Sequence, residues 1–385
     1  MPPIVPAPVA FAPPALGPDE IAEVVATLES GWLSTGPRVN RFEQAFARYV
    51  GAPHAIALNS CTAALHLSLL ASGVGAGDEV VTTPLTFCAT ANVIVHTGAT
   101  PVFADVDPVS FNLDPAAARD AITGRTRAII PVHFAGRPVD VAALESLAAA
   151  HNLSLIEDAA HCVEGVADGR RIGTTARFSC FSFYATKNLT TGEGGMVTTA
   201  DDEAAAFIRI ASLHGMDRDA WARYTPGGTS QYDVVMPGYK YNMMDIQAAI
   251  GLHQLNRLEA RYARRCAIWT EYDQGLAGLP ILLPAPAGAG TRHARHLYTV
   301  LVDEPTAGIS RDELQVRLRQ RGISTSIHFR AVHLHPYYQQ RFGLRRGMFP
   351  AAERISDTTL SLPLSAAMTS DAVTRVIEAV HASLG

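Results

Sequence analysis

Short apolar runs rich in β-branched residues alternate with segments of helical spacing from Ala55 to about Ala200. The runs at 55–58, 80–83, 101–106, 128–133 and 153–157 predict strands, and those at 62–71, 89–97, 115–122 and 141–151 predict helices. Strands that alternate with helices argue for an α/β fold, a mostly parallel sheet with helices on both faces. In such sheets ligands gather at the carboxyl ends of the strands. Two further runs, 178–184 and 195–199, predict neighbouring strands around a Gly-rich turn.

The pattern changes after that. Residues 221–238 read as a loop with several Gly, Pro and Ser, and Asp245 is placed to N-cap a long helix through Cys266. Residues 280–290 form a Pro/Ala/Gly linker. A smaller α/β unit follows, with a strand at 298–302, a helix at 311–321, a strand at 323–327 and a last helix from Ser370. Ser310 and Glu313 predict a capping box. The division expected is a large domain at 13–255 and a small C-terminal domain at 256–385.

Composition narrows the class. No apolar stretch is long enough to span a bilayer, and the first residues lack the charged and apolar regions of a signal peptide, so a cytoplasmic protein without membrane contact is expected. The five cysteines are scattered without Cys-x-x-Cys or zinc spacing and read as reduced thiols. A net charge of -5 offers no basic footprint for nucleic acid. The arginines from 257 to 265 read as the solvated face of a helix. His328, His333 and His335 have metal-like spacing, but their segment carries no acid and Arg330 would repel a cation, so no metal is expected.

The candidate chemistry begins at Lys187, in the stretch Ser182-Phe183-Tyr184-Ala185-Thr186-Lys187 that runs into a Gly-rich turn. A lysine held where its amine is desolvated becomes a nucleophile able to form a Schiff base. These residues alone fit a strand-end lysine on a hairpin as well. Asp158 ends the apolar run Leu155-Ile156-Glu157, where an acid is costly without a partner. The protonated ring nitrogen of pyridoxal phosphate (PLP) would be such a partner; a metal ligand or a helix cap are the other readings. Asn59-Ser60-Cys61-Thr62 opens an apolar helix whose free amides suit a phosphate, although Ser and Thr cap many helices for structural reasons alone. Ser182 offers another hydroxyl. Phe87 lies past a strand end; taken alone it reads as core, and beside the other three features it offers a ring to stack on a flat cofactor. No Gly-x-Gly-x-x-Gly marks a nicotinamide site at the first strand–helix turn.

Together these residues make the chain resemble the DegT/StrS group of PLP-dependent sugar aminotransferases. The likeness extends from Gly31-Trp32-Leu33-Ser34-Thr35-Gly36-Pro37 through Gly98-Ala99-Thr100-Pro101 and Glu157-Asp158-Ala159-Ala160-His161. It continues in Ser182–Gly195, in Gly238-Tyr239-Lys240-Tyr241-Asn242 and in His328-Phe329-Arg330. The resemblance implies the aspartate aminotransferase-like (type I) fold and a ping-pong transamination from glutamate to a nucleotide-linked 4-keto sugar. It implies that Lys187 forms the Schiff base and shuttles the proton, and that Asp158 pairs with the ring nitrogen. It further implies that His161 sits by the ring, that Phe87 stacks on it, and that Thr62, the Cys61 amide and Ser182 hold the phosphate. Asn242 is expected to reach the cofactor of a neighbouring subunit, which makes the active unit a homodimer. Trp32, Ser34, Tyr184, Lys240, Tyr241 and His328 are the expected substrate contacts. A related branch replaces the lysine by His and dehydrates sugars; retention of Lys187 favours transamination. A keto-cyclitol acceptor or a PLP lyase would use the same lysine. A non-enzymatic regulator with this fold would be expected to lose Lys187 or Asp158, and both are present.

Overall fold

A computed structural model describes residues 7–217 and 232–385. Its main sheet has seven strands in the order β1-β9-β8-β5-β4-β2-β3. These are β1 (His54–Leu58), β2 (Glu79–Thr82), β3 (Thr100–Phe103), β4 (Thr126–Ile130), β5 (Ser154–Asp158), β8 (Phe178–Ser182) and β9 (Gly195–Thr199). The intervening β6 (Val166–Ala167) and β7 (Arg170–Arg171) form a short hairpin outside it. Only β9 runs against its neighbours, and the other six strands share one direction. Each strand expected in this region is present within a few residues.

Helices cover both faces, as a parallel sheet requires. On one face, helix Pro37–Val50 buries Phe42 and Phe46. Phe46 meets Phe181 at 5.0 Å and Phe183 at 5.6 Å, both edge-on. Edge-to-face pairs of this kind contribute about 1 kcal/mol each beyond their burial. They anchor the chain immediately before the Lys187 turn. On the other face, helix Cys61–Ala71 buries nearly its whole circumference, which a helix apolar on all sides must do. Ser60 caps it by accepting the Ala63 amide at 3.1 Å.

The C-terminal part pairs β10 (Tyr298–Leu301) with β11 (Thr359–Leu362) in antiparallel register. Helices Leu258–Gly275, Arg311–Gln320 and Ser370–Leu384 share a core with these strands through Trp269, Tyr272, Leu318 and Val376. Among the described residues no helix is long and apolar enough to cross a membrane.

Five expectations are corrected. The helix from Asp245 stops at Asn256 and a second one starts at Leu258. Asp245 is not its N-cap, a position taken by Met244; its carboxylate instead accepts the amides of Arg38 at 3.1 Å and Val39 at 2.9 Å and so caps helix Pro37–Val50. No strand forms at 323–327, where Ile323 and Ser326 each make a single bridge, to Val9 and to Ser361. Ser310 does accept the Glu313 amide, but the Glu313 carboxylate takes Arg317 rather than closing the box. The arginines of 257–265 are not all solvated: Arg261 pairs with buried Glu20, and Arg265 is buried against Glu164. The loop expected at 221–238 lies outside the described residues as far as 231.

Candidate active site

Three strand ends build the site. Asp158 ends β5 and is buried. Its Oδ2 accepts a hydrogen bond from Thr90 Oγ1 at 2.8 Å, and its Oδ1 accepts the Ala160 amide at 3.2 Å. Both donors are neutral. Burial raises the Asp158 pKa, and the two hydrogen bonds and the Lys187 charge only partly oppose it. A carboxylate in that state suits a cationic ring nitrogen, which would complete its pairing.

Lys187 follows β8, in a turn closed by its own amide on the Tyr184 carbonyl at 2.9 Å. Burial lowers its amine to about 8, against the opposing pull of Asp158 and Cys61. At that value a substantial neutral fraction exists near neutral pH, the form a nucleophilic or proton-accepting lysine needs.

The N-terminus of helix Cys61–Ala71 lies beside this turn because Gly195 lets it. A Cβ on Gly195 would sit 2.3 Å from the Ser60 carbonyl carbon and 2.5 Å from the Cys61 amide nitrogen. Intrahelical bonding leaves the Cys61 and Thr62 amides without a carbonyl partner in the helix, which makes this end a seat for an anion. Cys61 is buried, its thiol directed to the Cys180 carbonyl at 3.4 Å. Its side chain therefore leaves the amide as the group available to a phosphate. Ser182, half-buried at the end of β8, accepts the Tyr184 amide at 3.4 Å.

His161 is buried, with Nδ1 lacking a hydrogen-bond partner. Its ring lies near-parallel to Phe329 at 6.0 Å and tilted against His296 at 4.4 Å. Burial, with the Lys187 charge next, pushes its protonation well below the ordinary histidine range. Phe87 is not core: it is 60% exposed, with its ring 6.1 Å from Phe329. His328 donates to or accepts from Ser361 Oγ at 2.8 Å, and burial together with Lys187 pushes its pKa down to about 3. Lys187 thus acts electrostatically on Asp158, His161 and His328 within one site. A buried acid with neutral donors, an orphaned buried imidazole nitrogen, a desolvated amine and a helix end form a set that fits PLP.

Other expected residues gather where residues 240–245 cross the end of β1, with Asn242 bridged to Leu58 and the Asn59 amide on the Tyr241 carbonyl at 2.7 Å. Asn242 Nδ2 donates to Thr35 Oγ1 at 2.6 Å, Trp32 Nε1 to the Thr35 carbonyl at 3.0 Å, and the Asp245 amide to the Ser34 carbonyl at 3.2 Å. Lys240 is exposed, and Tyr241 stacks on Tyr239 at 5.0 Å with its hydroxyl 3.3 Å from His66 Nδ1. Tyr184 is exposed next to the Lys187 turn.

Thr86, Thr90, Asn188, His296 and Phe329 escaped the sequence reading. Thr86 and Thr90 carried a signal, two hydroxyls spaced i, i+4 across a helix start beside Phe87, and Asn188 and Phe329 lie in stretches that carry the resemblance.

Comparison with known proteins agrees with this geometry. Residues 14–381 match the model of the DegT/DnrJ/EryC1/StrS aminotransferase family. The chain is 52% identical over 372 residues to the spore coat polysaccharide biosynthesis protein SpsC of Bacillus subtilis, covering 96% of each. Among solved structures, Spr1654 of Streptococcus pneumoniae, named a sugar aminotransferase and crystallised in PMP and PLP forms, superposes in its PMP form with a TM-score of 0.91 at 35% identity, over 98% of this chain and 99% of that one. DesI, crystallised in the presence of its TDP-sugar product, superposes with a TM-score of 0.88 at 34% identity, over 98% and 93%. A match along nearly the whole length, joined to a strand-end lysine and a buried strand-end acid, makes this chain a member of the DegT/DnrJ/EryC1/StrS family, a PLP-dependent aminotransferase of fold type I.

Proposed function

We propose that the protein moves an amino group from glutamate to a nucleotide-linked 4-keto sugar, in two half-reactions at one site. The observation that carries this reading is the pairing of a lysine amine lowered to about 8 with a buried carboxylate whose hydrogen-bond donors are all neutral. Lys187 would hold PLP covalently, Asp158 its ring nitrogen, and the Cys61 amide, Thr62 and Ser182 its phosphate. His161 and Phe87 would flank the ring, and Asn242 of a second copy would complete the phosphate seat. When bound, the cofactor supplies an electron sink for the carbon that loses its proton.

The chain's own residues then have distinct tasks. Lys187, once displaced, takes the proton from the donor's α-carbon and returns one on the cofactor side, with a pKa close to the working pH. Asp158 keeps a positive charge on the ring nitrogen by offering an ionised oxygen in a dry site. His161 is neutral, so it lines the ring without adding a charge that would compete with that one. His328, held by Ser361 at 2.8 Å, is assigned to a sugar hydroxyl. Trp32, Ser34, Tyr184, Lys240 and Tyr241 are assigned to the nucleotide-sugar side.

Nucleotide linkage draws support from DesI and its TDP-sugar product, and a glycan setting from the name of SpsC. The division into a cofactor-binding domain at 13–255 and a small domain at 256–385 belongs to the same reading. It is supported by the separate core around Trp269, Tyr272 and β10–β11.

The test is the absorption spectrum of the PLP-loaded protein before and after glutamate, with no acceptor. Growth of the pyridoxamine phosphate band, reversed by a nucleotide-linked 4-keto sugar, supports the reading. A spectrum indifferent to glutamate counts against this donor. Failure of every nucleotide-linked keto sugar to restore the first spectrum would sink the acceptor assignment.

A further inference from the structure

The residue after Lys187 sits in a hydrogen-bond arrangement with only one consistent assignment of protons. Asn188 Nδ2 lies 2.9 Å from the Ala294 carbonyl and 2.9 Å from Glu164 Oε2. A backbone carbonyl only accepts, so the nitrogen of the amide must face it, and the orientation of the Asn188 side chain is fixed. Its Oδ1 is then the atom 3.1 Å from His296 Nδ1. An amide oxygen only accepts, so His296 must carry its proton on Nδ1; burial, with the Lys187 charge next, holds the ring neutral, which leaves the lone pair on Nε2.

The surroundings hold each member in place. Glu164 is fully buried and paired with Arg265 from helix Leu258–Gly275. The 292–297 segment is nailed down through Ala294 N to the Gly136 carbonyl at 2.7 Å and His296 N to the Ala135 carbonyl at 3.2 Å. Gly136, at φ +94°, makes the approach possible: a Cβ there would lie 2.9 Å from the His161 carbonyl oxygen and 3.2 Å from the His296 amide. His296 then sets its ring 4.4 Å from that of His161.

We propose that Asn188 and His296 are positioning residues for the amino-transfer site: Asn188 locks His296 as the Nδ1–H tautomer, and the locked ring backs His161 and holds its plane against the cofactor. The second half rests on the placement of His161 given under Proposed function; the tautomer does not. The usual histidine tautomer in water carries its proton on Nε2, so the lock has a distinct spectroscopic signature. Neither residue supplies a proton to the substrate in this scheme.

The test uses the full-length apoprotein with ¹⁵N-labelled histidine. The His296 ring signals are assigned by their loss in His296→Asn, which keeps a donor toward Asn188 but removes the ring. Wild type should show a protonated Nδ1 and an unprotonated Nε2 at His296, and Asn188→Ala should move the proton to Nε2. A wild-type His296 protonated on Nε2 overturns the lock and needs no variant to fold. Fluorescence titration of apoprotein with PLP should show about tenfold weaker binding in both Asn188→Ala and His296→Asn, the scale of one lost buried interaction. His296→Asn with wild-type affinity overturns the backing role. His161→Ala with wild-type affinity would overturn the placement of His161 itself, while the tautomer of His296 would stand.

Discussion

Thr90 donates its only hydroxyl proton to Oδ2 of Asp158, at 2.8 Å. Thr86 Oγ1 lies 2.7 Å behind Thr90 Oγ1, so Thr86 must be the donor in that second bond. Two buried hydroxyls from the start of helix Cys88–His96 therefore form a one-way chain that ends on the carboxylate. The chain opposes the burial that raises the Asp158 pKa. It also orients the acid, because a carboxylate held on one oxygen by Thr90 and on the other by the Ala160 amide has little freedom to rotate.

Thr90→Val should therefore weaken the cofactor site without emptying it. The isosteric change leaves Asp158 with one donor fewer and Thr86 with no acceptor at that position. Binding of PLP to apoprotein should weaken about ten- to a hundredfold, the cost of one hydrogen bond to a charged group. Thr90→Ser should restore it. Titration of the three apoproteins by fluorescence decides the matter, and equal affinities would remove Thr90 from the site.

Lys187 offers a pH test with a determined sign. Its folded-state pKa of about 8 lies below the ordinary 10.5. Between those values the unfolded chain binds the proton that the folded chain has lost, so apoprotein stability rises with pH across that window. Below about 8 both states are protonated and the cost of burying the charge is fully present. Lys187→Met removes the charge and keeps the apolar stem. The variant apoprotein should be more stable than wild type at pH 7, and its lead should shrink steadily between pH 8 and 10. Urea unfolding at both ends of that range measures it; a constant difference would mean that Lys187 has an ordinary pKa.

The sequence displayed the elements that repeat a local rule, and it hid those that depend on distant partners. Strands β1 to β5 announced themselves because fully buried parallel strands need continuous apolar runs, and Lys187 and Asp158 stood out as charges at the ends of such runs. Phe87 misled when read alone, because its exposure depends on an open site past the strand end. Asp245 looked like the cap of the helix that follows it, yet it caps helix Pro37–Val50, some two hundred residues earlier. Arg265 looked solvated because Glu164, its partner, lies on another element. Residues 323–327 have strand composition, but only single bridges form there, with Val9 and Ser361.

The Asp245 cap has a measurable weight. Its two oxygens accept the first free amides of helix Pro37–Val50, a helix that opens on Gly36 with no side-chain cap of its own. That helix carries Phe42 and Phe46 onto Phe183, so the cap and the Lys187 turn are mechanically linked. Asp245→Ala should cost about 1–2 kcal/mol, as loss of a helix N-cap does. Asp245→Asn should recover part of it. Chemical denaturation of the apoproteins provides the comparison. A loss within error of zero would show that water replaces the carboxylate at that helix end.

Asn242 yields the sharpest test of a shared site. Within its own chain its Nδ2 is committed to Thr35 Oγ1, and its backbone bridges Leu58 at the end of β1, just before helix Cys61–Ala71. The role proposed for it at the cofactor lies in a neighbouring subunit. Asn242→Ala alone should bind PLP more weakly and lose most activity, and Lys187→Ala should lose all of it. Mixed after partial denaturation and refolding, the two variants should regain activity. A heterodimer has one site that takes Lys187 from the first chain and Asn242 from the second, and both are intact there. Random pairing of equal amounts places about a quarter of all sites in that state, so recovery should approach that share of wild-type turnover. No recovery, with heterodimers shown by mass spectrometry, would place Asn242 outside the neighbour's site.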